Sequence, residues 1–184
     1  MRNLTFAINL TADGCCDHTK QSMDEEKLEY FIRLTQAADT QIFGRKTYQL
    51  MVPYWPDILK NQTETKAELE FAKAFDSLNK IVFSRTLKSP ETRNTRIAQG
   101  ELREEILRLK QEPGKNILVG GVDVPTQLVE LGLVDEFLFV IGPLIAGEGR
   151  RLFNGVNLQA KLNLKLVDSK VFKSGSVALR YHKQ

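Results

Sequence analysis

The sequence predicts an α/β fold with a mostly parallel mixed central sheet, helices on both faces and a C-terminal antiparallel hairpin. For about two thirds of the chain, short apolar runs alternate with segments of helical spacing, the order typical of parallel strands joined by helices. From Asp135 the pattern turns largely to β, and residues 162–166 and 177–181 flank a turn at Ser174-Gly175. No repeat or linker interrupts the sequence, so residues 1–184 are expected to form one domain.

The first half of the chain is predicted to contain three buried strands and three helices. Each strand is a short apolar run, and each helix shows apolar residues near a 3.6-residue period. The helix after the second strand is expected to be short, because Pro53-Tyr54-Trp55-Pro56 should break it into a loop. The predicted strands are 4–10, 40–43 and 80–83; the other two helices are 23–38 and 64–75.

The second half repeats this order and then changes to β. Pro113-Gly114 ends a charged helix, and an apolar run follows at once as a buried strand. The predicted strands are 96–98, 116–119 and 136–141, and the predicted helices are 101–110 and 125–131. The apolar run 137–141 is compatible with a subunit interface and equally with a central strand.

Composition is that of an ordinary globular protein, with 42% hydrophobic and 27% charged residues and a formal charge of +3. No basic block of the kind used to bind nucleic acid is present, and no apolar run of about 18 residues suits a membrane span. Cys15 and Cys16 are adjacent, which is poor geometry for a disulfide and favours a reducing compartment. A cytoplasmic protein without a metal site is therefore expected.

The most informative segment is Gly44-Arg45-Lys46-Thr47, which follows the second predicted strand. A helix N-terminus offers unpaired N–H groups and a positive dipole end, and glycine lets a ligand approach the backbone closely. The two cations and the hydroxyl reinforce this preference for an anion. The segment predicts a phosphate-binding site, although a helix start with solvated charges would look the same.

Two later strand ends carry related patterns. Ser84-Arg85 follows the third strand, where a hydroxyl and a guanidinium can hold a phosphate monoester. Gly120-Gly121 lies between a buried strand and a helix, so a flat or charged ligand can rest on bare backbone. Either pattern alone could be an ordinary turn. In a parallel sheet, however, strand carboxyl ends share one edge, so together they predict a nucleotide site.

These segments resemble the dihydrofolate reductase superfamily, and most closely the RibD C-terminal reductase family of riboflavin biosynthesis. The resemblance implies a dihydrofolate reductase-like three-layer sandwich, NADPH as cofactor and a homodimer. It is carried, in order along nearly the whole chain, by Thr11-Ala12-Asp13-Gly14, residues 42–48, residues 80–87, Ile117-Leu118-Val119-Gly120-Gly121, residues 131–136, Gly142-Pro143-Leu144-Ile145 and residues 147–153.

The resemblance also assigns roles to residues. It implies a cis peptide at the glycine pair. It places Lys27 where true dihydrofolate reductases carry the carboxylate that holds the pteridine, which argues against folate reduction. The implied cofactor contacts are Arg45, Ser84 and Arg85 on the 2′-phosphate, Lys46 and Thr47 with Gly44 on the pyrophosphate, and Gly120, Gly121 and Val122 on the pyrophosphate and nicotinamide side.

On the substrate side, the end of the first strand and the single tryptophan are the candidates. Asp13 could contact substrate or relay a proton, with Thr11 beside it, although an Asp-Gly turn that only reverses the chain fits as well. Trp55 could stack on a planar ring or anchor the core.

The leading hypothesis is an NADPH-dependent reductase of a small heterocyclic or imine substrate, similar to the 5-amino-6-(5-phosphoribosylamino)uracil reductase of riboflavin biosynthesis. The alternatives are an NADPH-binding sensor module without turnover and, with less support, a dihydrofolate reductase.

Overall fold

A computed structural model describes residues 1–62, 64–90 and 92–184. Within these ranges the chain forms eight strands and five α-helices, with a short 3-10 turn at His18–Lys20. The strands are β1 Leu4–Thr11, β2 Ala38–Gly44, β3 Asn79–Phe83, β4 Thr95–Ile97, β5 Asn116–Val119, β6 Glu136–Gly142, β7 Leu164–Val171 and β8 Val177–Lys183. The helices are α1 Glu25–Gln36, α2 Arg45–Asn61, α3 Lys66–Ser77, α4 Leu102–Gln111 and α5 Asp123–Glu130.

All eight strands belong to one sheet in the order β4-β3-β2-β5-β1-β6-β8-β7. The six strands from β4 to β6 pair in parallel, and β8 and β7 pair antiparallel at one end. The predicted fold class, a mostly parallel mixed sheet with a C-terminal hairpin, is confirmed. The apolar run 137–141 lies in β6, which pairs with β1 on one side and β8 on the other. It is therefore a central strand.

The sheet is covered on both faces, which explains the nearly continuous apolar runs of its central strands. One face packs against α4 and α5 through a core that contains Phe6, Ile106 and Leu128. The other face packs against α1, α2 and α3, with Phe43, Tyr48 and related side chains at its centre. Parallel strands with helices between them place the strand carboxyl ends along one edge, where the cleft lies.

The prediction that α2 breaks at Pro53 is wrong, because the helix continues through both Pro53 and Pro56 to Asn61. A proline inside a helix removes a backbone hydrogen bond and costs roughly 3 kcal/mol. Side chains on both sides of the prolines are anchored in the core: Tyr48 and Val52 are buried before Pro53, and Ile58 is buried after Pro56. Burial of each contributes about 1.5–3 kcal/mol, so tertiary packing offsets the loss.

Other boundaries differ from the prediction by a few residues, and the structure shows the reason. The first helix begins at Glu25 rather than at Met23, because the Asp24 side chain caps it by accepting from Lys27 N–H. The predicted strand 162–166 begins at Leu164 and runs on to Val171, because its hydrogen bonds with β8 continue to the turn. Strand β5 has the predicted bounds.

Two searches of the described residues concern other kinds of site. None of their helices is long and apolar enough to cross a bilayer. In the same residues, no group of three His, Cys, Asp or Glu side chains is placed to hold a metal ion.

The fold buries one lysine whose protonation should affect stability. Lys80 is 1% exposed, and its Nζ donates to the Leu78 carbonyl at 3.0 Å and lies 4.8 Å from the centre of the Phe75 ring. Burial lowers the pKa of Lys80 to about 8, below the 10.5 of an exposed lysine. Because the unfolded chain then binds more protons between these two pH values, stability rises with pH across that window.

We therefore expect the free energy of unfolding to increase between pH 8 and 10.5 by on the order of 3 kcal/mol from Lys80, at about 1.4 kcal/mol per pKa unit. Urea unfolding at several pH values in this window measures it. Lys80→Met removes the titrating group and should flatten the increase. An equally steep rise in the variant would contradict the assignment.

Candidate functional site

A cleft of about 1320 Å³ opens at the carboxyl ends of the central parallel strands. Strands β3, β2, β5 and β1 are consecutive neighbours in the sheet, so their ends lie side by side. All three predicted anion-binding segments line the cleft, and the structure therefore brings them together: Gly44, Arg45, Lys46 and Thr47 after β2, Ser84 and Arg85 after β3, and Gly120, Gly121 and Val122 after β5.

The first segment is the start of α2. Gly44 is the N-cap and has no side chain to satisfy the first N–H groups of the helix. Arg45 is exposed, and its Nη1 donates to Gln49 Oε1 at 3.0 Å. Lys46 is exposed, and no hydrogen bond or ion pair joins it to another described residue. The helix end thus presents a positive dipole and two cations to the cleft.

The second segment is a compact turn after β3. The hydroxyl oxygen of Ser84 accepts hydrogen bonds from Thr86 N–H at 3.1 Å and Leu87 N–H at 2.9 Å. This turn fixes the backbone and leaves the Arg85 side chain exposed at the cleft. Arg45 and Arg85 follow neighbouring strands, so both guanidinium groups belong to the same end of the cleft.

The third segment is the glycine pair. The expected cis peptide is wrong, since every peptide bond between described residues is trans. The sharp turn comes instead from Gly121, whose φ of 87° is a left-handed value that side chains other than glycine rarely adopt. A Cβ at Gly121 would also collide with Oγ1 of Thr47. The pair and the α2 start are therefore in close contact, which only glycine permits.

An apolar wall forms the part of the cleft below α1, α2 and α3. We define it as Leu28 and Phe31 of α1, Met51 and Trp55 of α2, and Phe71 of α3, all of which line the cleft. The rings of Trp55 and Phe71 have centroids 4.4 Å apart. Trp55 packs against the core cluster, as one of its two predicted roles requires, and it also lines the cleft. Stacking on a planar ligand ring stays a prediction.

Neutral polar side chains line the same part of the cleft. Asn9 extends from β1, and Gln21 lies just before α1. The Nε2 atom of Gln21 is buried, and it has no hydrogen-bond partner among the described residues. Sequence reasoning missed both amides and most of the apolar wall. Asn9 did carry a signal, as a polar residue inside an otherwise apolar strand.

Asp13 and Thr11 do not line the cleft. The Asp13 carboxylate accepts from Thr11 Oγ1 at 2.5 Å, Ala146 N–H at 3.1 Å and Gly147 N–H at 3.0 Å, and it pairs with Arg151 at 2.8 Å. The hydrogen bond from Thr11, with those from the two backbone amides, holds the pKa of Asp13 far below its usual range. The group is therefore ionised near neutral pH and serves to bind the loop at residues 143–152.

That loop also reaches the cleft. Arg150 Nη2 lies 2.7 Å from Oδ1 of Asp123, the first residue of α5, and both side chains line the cleft mouth. The Arg150 carbonyl accepts from Cys16 N–H at 2.9 Å. Burial raises the pKa of the Cys16 thiol, so it stays protonated at neutral pH. The loop is thus fastened to the residues after β1 and to α5.

Lys27 does not enter the cleft. Its Nζ donates to the Ser22 carbonyl at 2.5 Å and lies 3.2 Å from the Asp24 carboxylate, and the residue is buried. The position at which the resemblance would require a carboxylate for a pteridine is therefore taken by a buried lysine that lies outside the cleft.

Comparison with known proteins places this geometry in a family. The model of the RibD C-terminal domain matches residues 2–178. The uncharacterized protein YyaP of Bacillus subtilis is 40% identical over 185 residues, covering 98% of this chain and 95% of that protein.

Two solved structures have the same fold. A putative riboflavin biosynthesis protein from Shewanella sp. PV-4 superposes with a TM-score of 0.72 at 19% identity, with 100% of this chain and 99% of that chain covered. A diaminohydroxyphosphoribosylaminopyrimidine deaminase/5-amino-6-(5-phosphoribosylamino)uracil reductase from Thermotoga maritima gives a TM-score of 0.68 at 17% identity, and the match covers 100% of this chain and 57% of the larger enzyme. With its cleft at the strand ends and a family match along nearly its whole length, the chain belongs to the RibD C-terminal domain family.

Proposed function

We propose that the protein is an NADPH-dependent reductase of a small heterocyclic or imine substrate, similar in reaction to the uracil reductase named above. The observation that carries the proposal is the convergence of two arginines, a lysine and a glycine turn at three adjacent strand ends. A dinucleotide with an additional phosphate has the charge and length to use all of them. An NAD site would instead be expected to present an acidic residue to the ribose.

The residues present fit that cofactor. Arg45 and Arg85 suit the 2′-phosphate, because guanidinium groups bind phosphate oxygens in a fork. The hydrogen bonds to the Ser84 hydroxyl fix the turn that carries Arg85. Lys46, Thr47 and the bare amides at Gly44 suit the pyrophosphate. Gly121 leaves the space at Thr47 that any side chain would fill. Gly120 and Val122 complete the surface on the nicotinamide side.

When bound, NADPH would supply a hydride, and the protein would supply orientation and a dry environment. The apolar wall excludes water and holds a flat substrate against the cofactor side of the cleft. The amides of Asn9 and Gln21 give such a substrate hydrogen-bond partners that fix its orientation.

Asp13 and Thr11 are better described as positioning residues. Both are already engaged in hydrogen bonds that close the turn after β1 and hold the 143–152 loop. Since the Asp13 carboxylate has a strongly lowered pKa, it is a poor proton donor near neutral pH. Its charge instead keeps Arg151 and the loop beside the cleft.

The engagement of Asp13 by the 143–152 loop favours a second candidate function, an NADPH-binding module without turnover. Asp13 is engaged by the loop, and Lys27 is buried outside the cleft, so neither side chain is placed to transfer a proton to a ligand in the cleft. Stopped-flow measurement of NADPH oxidation against pterins, flavins and 5-amino-6-(5-phosphoribosylamino)uracil separates the two functions. Oxidation with any of them supports the reductase, whereas tight NADPH binding without oxidation supports the sensor.

Removing both guanidinium groups tests the 2′-phosphate assignment. Arg45→Ala combined with Arg85→Ala should weaken NADPH binding by about 100-fold, since each charge-assisted contact is worth about 1.4 kcal/mol or more. NADH binding should change by less than about threefold, because NADH lacks that phosphate. Isothermal titration of both cofactors measures the difference.

A charge-matched control is Lys60→Ala with Lys66→Ala, two exposed lysines on α2 and α3 that do not line the cleft. This control should leave both affinities unchanged. Equal losses of NADPH and NADH in the arginine variant would remove the assignment.

Gly121→Ala tests the close contact between the glycine turn and α2. The new Cβ meets Thr47 Oγ1 at an unfavourable φ, so NADPH binding should weaken by at least about tenfold. Gly155→Ala is the control, because Gly155 has a similar φ of 81° with nothing within 4 Å of an added Cβ. Titration of NADPH, with circular dichroism to verify folding, compares them. Retained affinity in Gly121→Ala would contradict the proposed cradle.

Asp13→Asn tests the positioning role. Loss of the charge should speed hydrogen exchange at the Ala146 and Gly147 amides, which donate to this carboxylate. Asp57→Asn, an exposed change on α2, should leave these amides protected. If exchange is unaltered in Asp13→Asn while the pH profile of NADPH oxidation loses a limb, Asp13 is a proton relay after all.

A further inference from the structure

The cations and the Asn9 amide occupy different parts of the cleft. Arg45 and Lys46 follow β2, and Arg85 follows β3, while Asn9 belongs to β1. The sheet order β3-β2-β5-β1 puts β1 two strand positions from β2 and three from β3. At about 4.8 Å per strand, this separates the basic end from the β1 end by roughly 10–14 Å. Cofactor phosphates and a substrate ring would therefore meet different chemistry.

The apolar wall brings side chains from α1, α2 and α3 to the cleft, and three of them, Phe31, Trp55 and Phe71, are aromatic. The wall packs with Phe43 of β2 and Val82 of β3, and Phe31 also reaches the cluster under β5 and β6. Trp55 is held in place by its contact with Phe71, so its ring is a rigid surface. Such a wall binds the face of a planar ring, and a phosphate placed against it would lose its hydration without compensation.

The polar groups at the β1 end include two neutral amides, Asn9 and Gln21, besides the side chains of His18 and Ser22. The buried Nε2 of Gln21 has no partner among the residues described, and a buried donor without an acceptor is unfavourable. A carbonyl or ring nitrogen of a ligand would satisfy it. The Asn9 amide offers both a donor and an acceptor beside it. This is the complement of an uncharged heterocycle that carries carbonyl and amino groups.

Arg150 is the remaining arginine that lines the cleft within the described ranges, and it is already paired. Its Nη2 lies 2.7 Å from the Asp123 carboxylate. A substrate phosphate at this position would have to displace that carboxylate or lie beside its negative charge. The ion pair therefore makes the cleft mouth a poor site for a second phosphate.

We infer that the substrate is an uncharged planar heterocycle without a phosphate group, bound between the apolar wall and the amides of Asn9 and Gln21. This inference rests on the proposed function, because it takes the basic end of the cleft to be filled by NADPH. It distinguishes this chain from the Thermotoga relative, whose name specifies a phosphoribosylated uracil.

The test uses two matched pairs of probes on protein saturated with NADPH. One pair is 5-amino-6-(5-phosphoribosylamino)uracil and the same compound after phosphatase treatment; the other is riboflavin 5′-phosphate and riboflavin. Isothermal titration should show at least one phosphate-free member binding tenfold or more tightly than its phosphorylated partner. Equal or tighter binding of the phosphorylated members, or no binding of either phosphate-free compound, overturns the inference.

Single-residue variants test whether the preference for phosphate-free probes depends on the residues named above. Gln21→Leu and Trp55→Ala should each weaken the phosphate-free probe by at least tenfold and leave NADPH affinity unchanged. Arg150→Ala should leave the preference unchanged; a phosphorylated preference that disappears in Arg150→Ala would identify this arginine as a phosphate ligand and overturn the inference. Failure of the proposed function is recognised separately, because the protein would then take up no NADPH, or would bind NADPH and oxidise it with none of the candidate substrates.

Discussion

The parallel pairing of β2 with β3 on one side and β5 on the other is the constraint on which the candidate site depends. The register matches Gly44 with Phe83 and Ile42 with Val119. The segments that follow β2, β3 and β5 therefore leave the sheet side by side, so three segments far apart in sequence meet at one edge. Burial of both sheet faces fixes this register, because a slip of one residue would exchange the two cores. Stability of the sheet and geometry of the cleft thus have the same origin.

Sequence patterns sufficed for whatever depends on local periodicity. The apolar runs predicted the central strands because strands buried on both faces carry little polar interruption, and β5 was predicted to the residue. The three segments at the strand ends were also found, because glycine, arginine and hydroxyl residues stand out after an apolar run. The apolar wall could not be found in this way. Leu28, Met51 and Phe71 have the helical spacing of core residues, and only tertiary packing decides that they also border a cleft.

Asp13 illustrates the other limit of sequence reasoning. A carboxylate after the first strand suggests chemistry, yet all of its partners except Thr11 lie more than 130 residues away in the 143–152 loop. No local pattern connects them. A structural aspartate and a catalytic aspartate cannot be told apart in a sequence. They differ in the hydrogen-bond donors around the carboxylate, which only the structure shows. The cis peptide expected at Gly120-Gly121 is likewise not found, because Gly121 makes the turn with a trans bond and a left-handed φ.

The continuity of α2 has a mechanical consequence. The helix starts at Arg45 among the basic groups and carries Trp55 about 15 Å further along its axis, given a rise of 1.5 Å per residue. A helix broken at Pro53 would have allowed these two ends to move independently. Because the helix is continuous, a tilt of its first turn would displace the indole ring as well. If NADPH and substrate bind as proposed, such a tilt would make the affinity of each depend on the presence of the other, by the same factor in both directions.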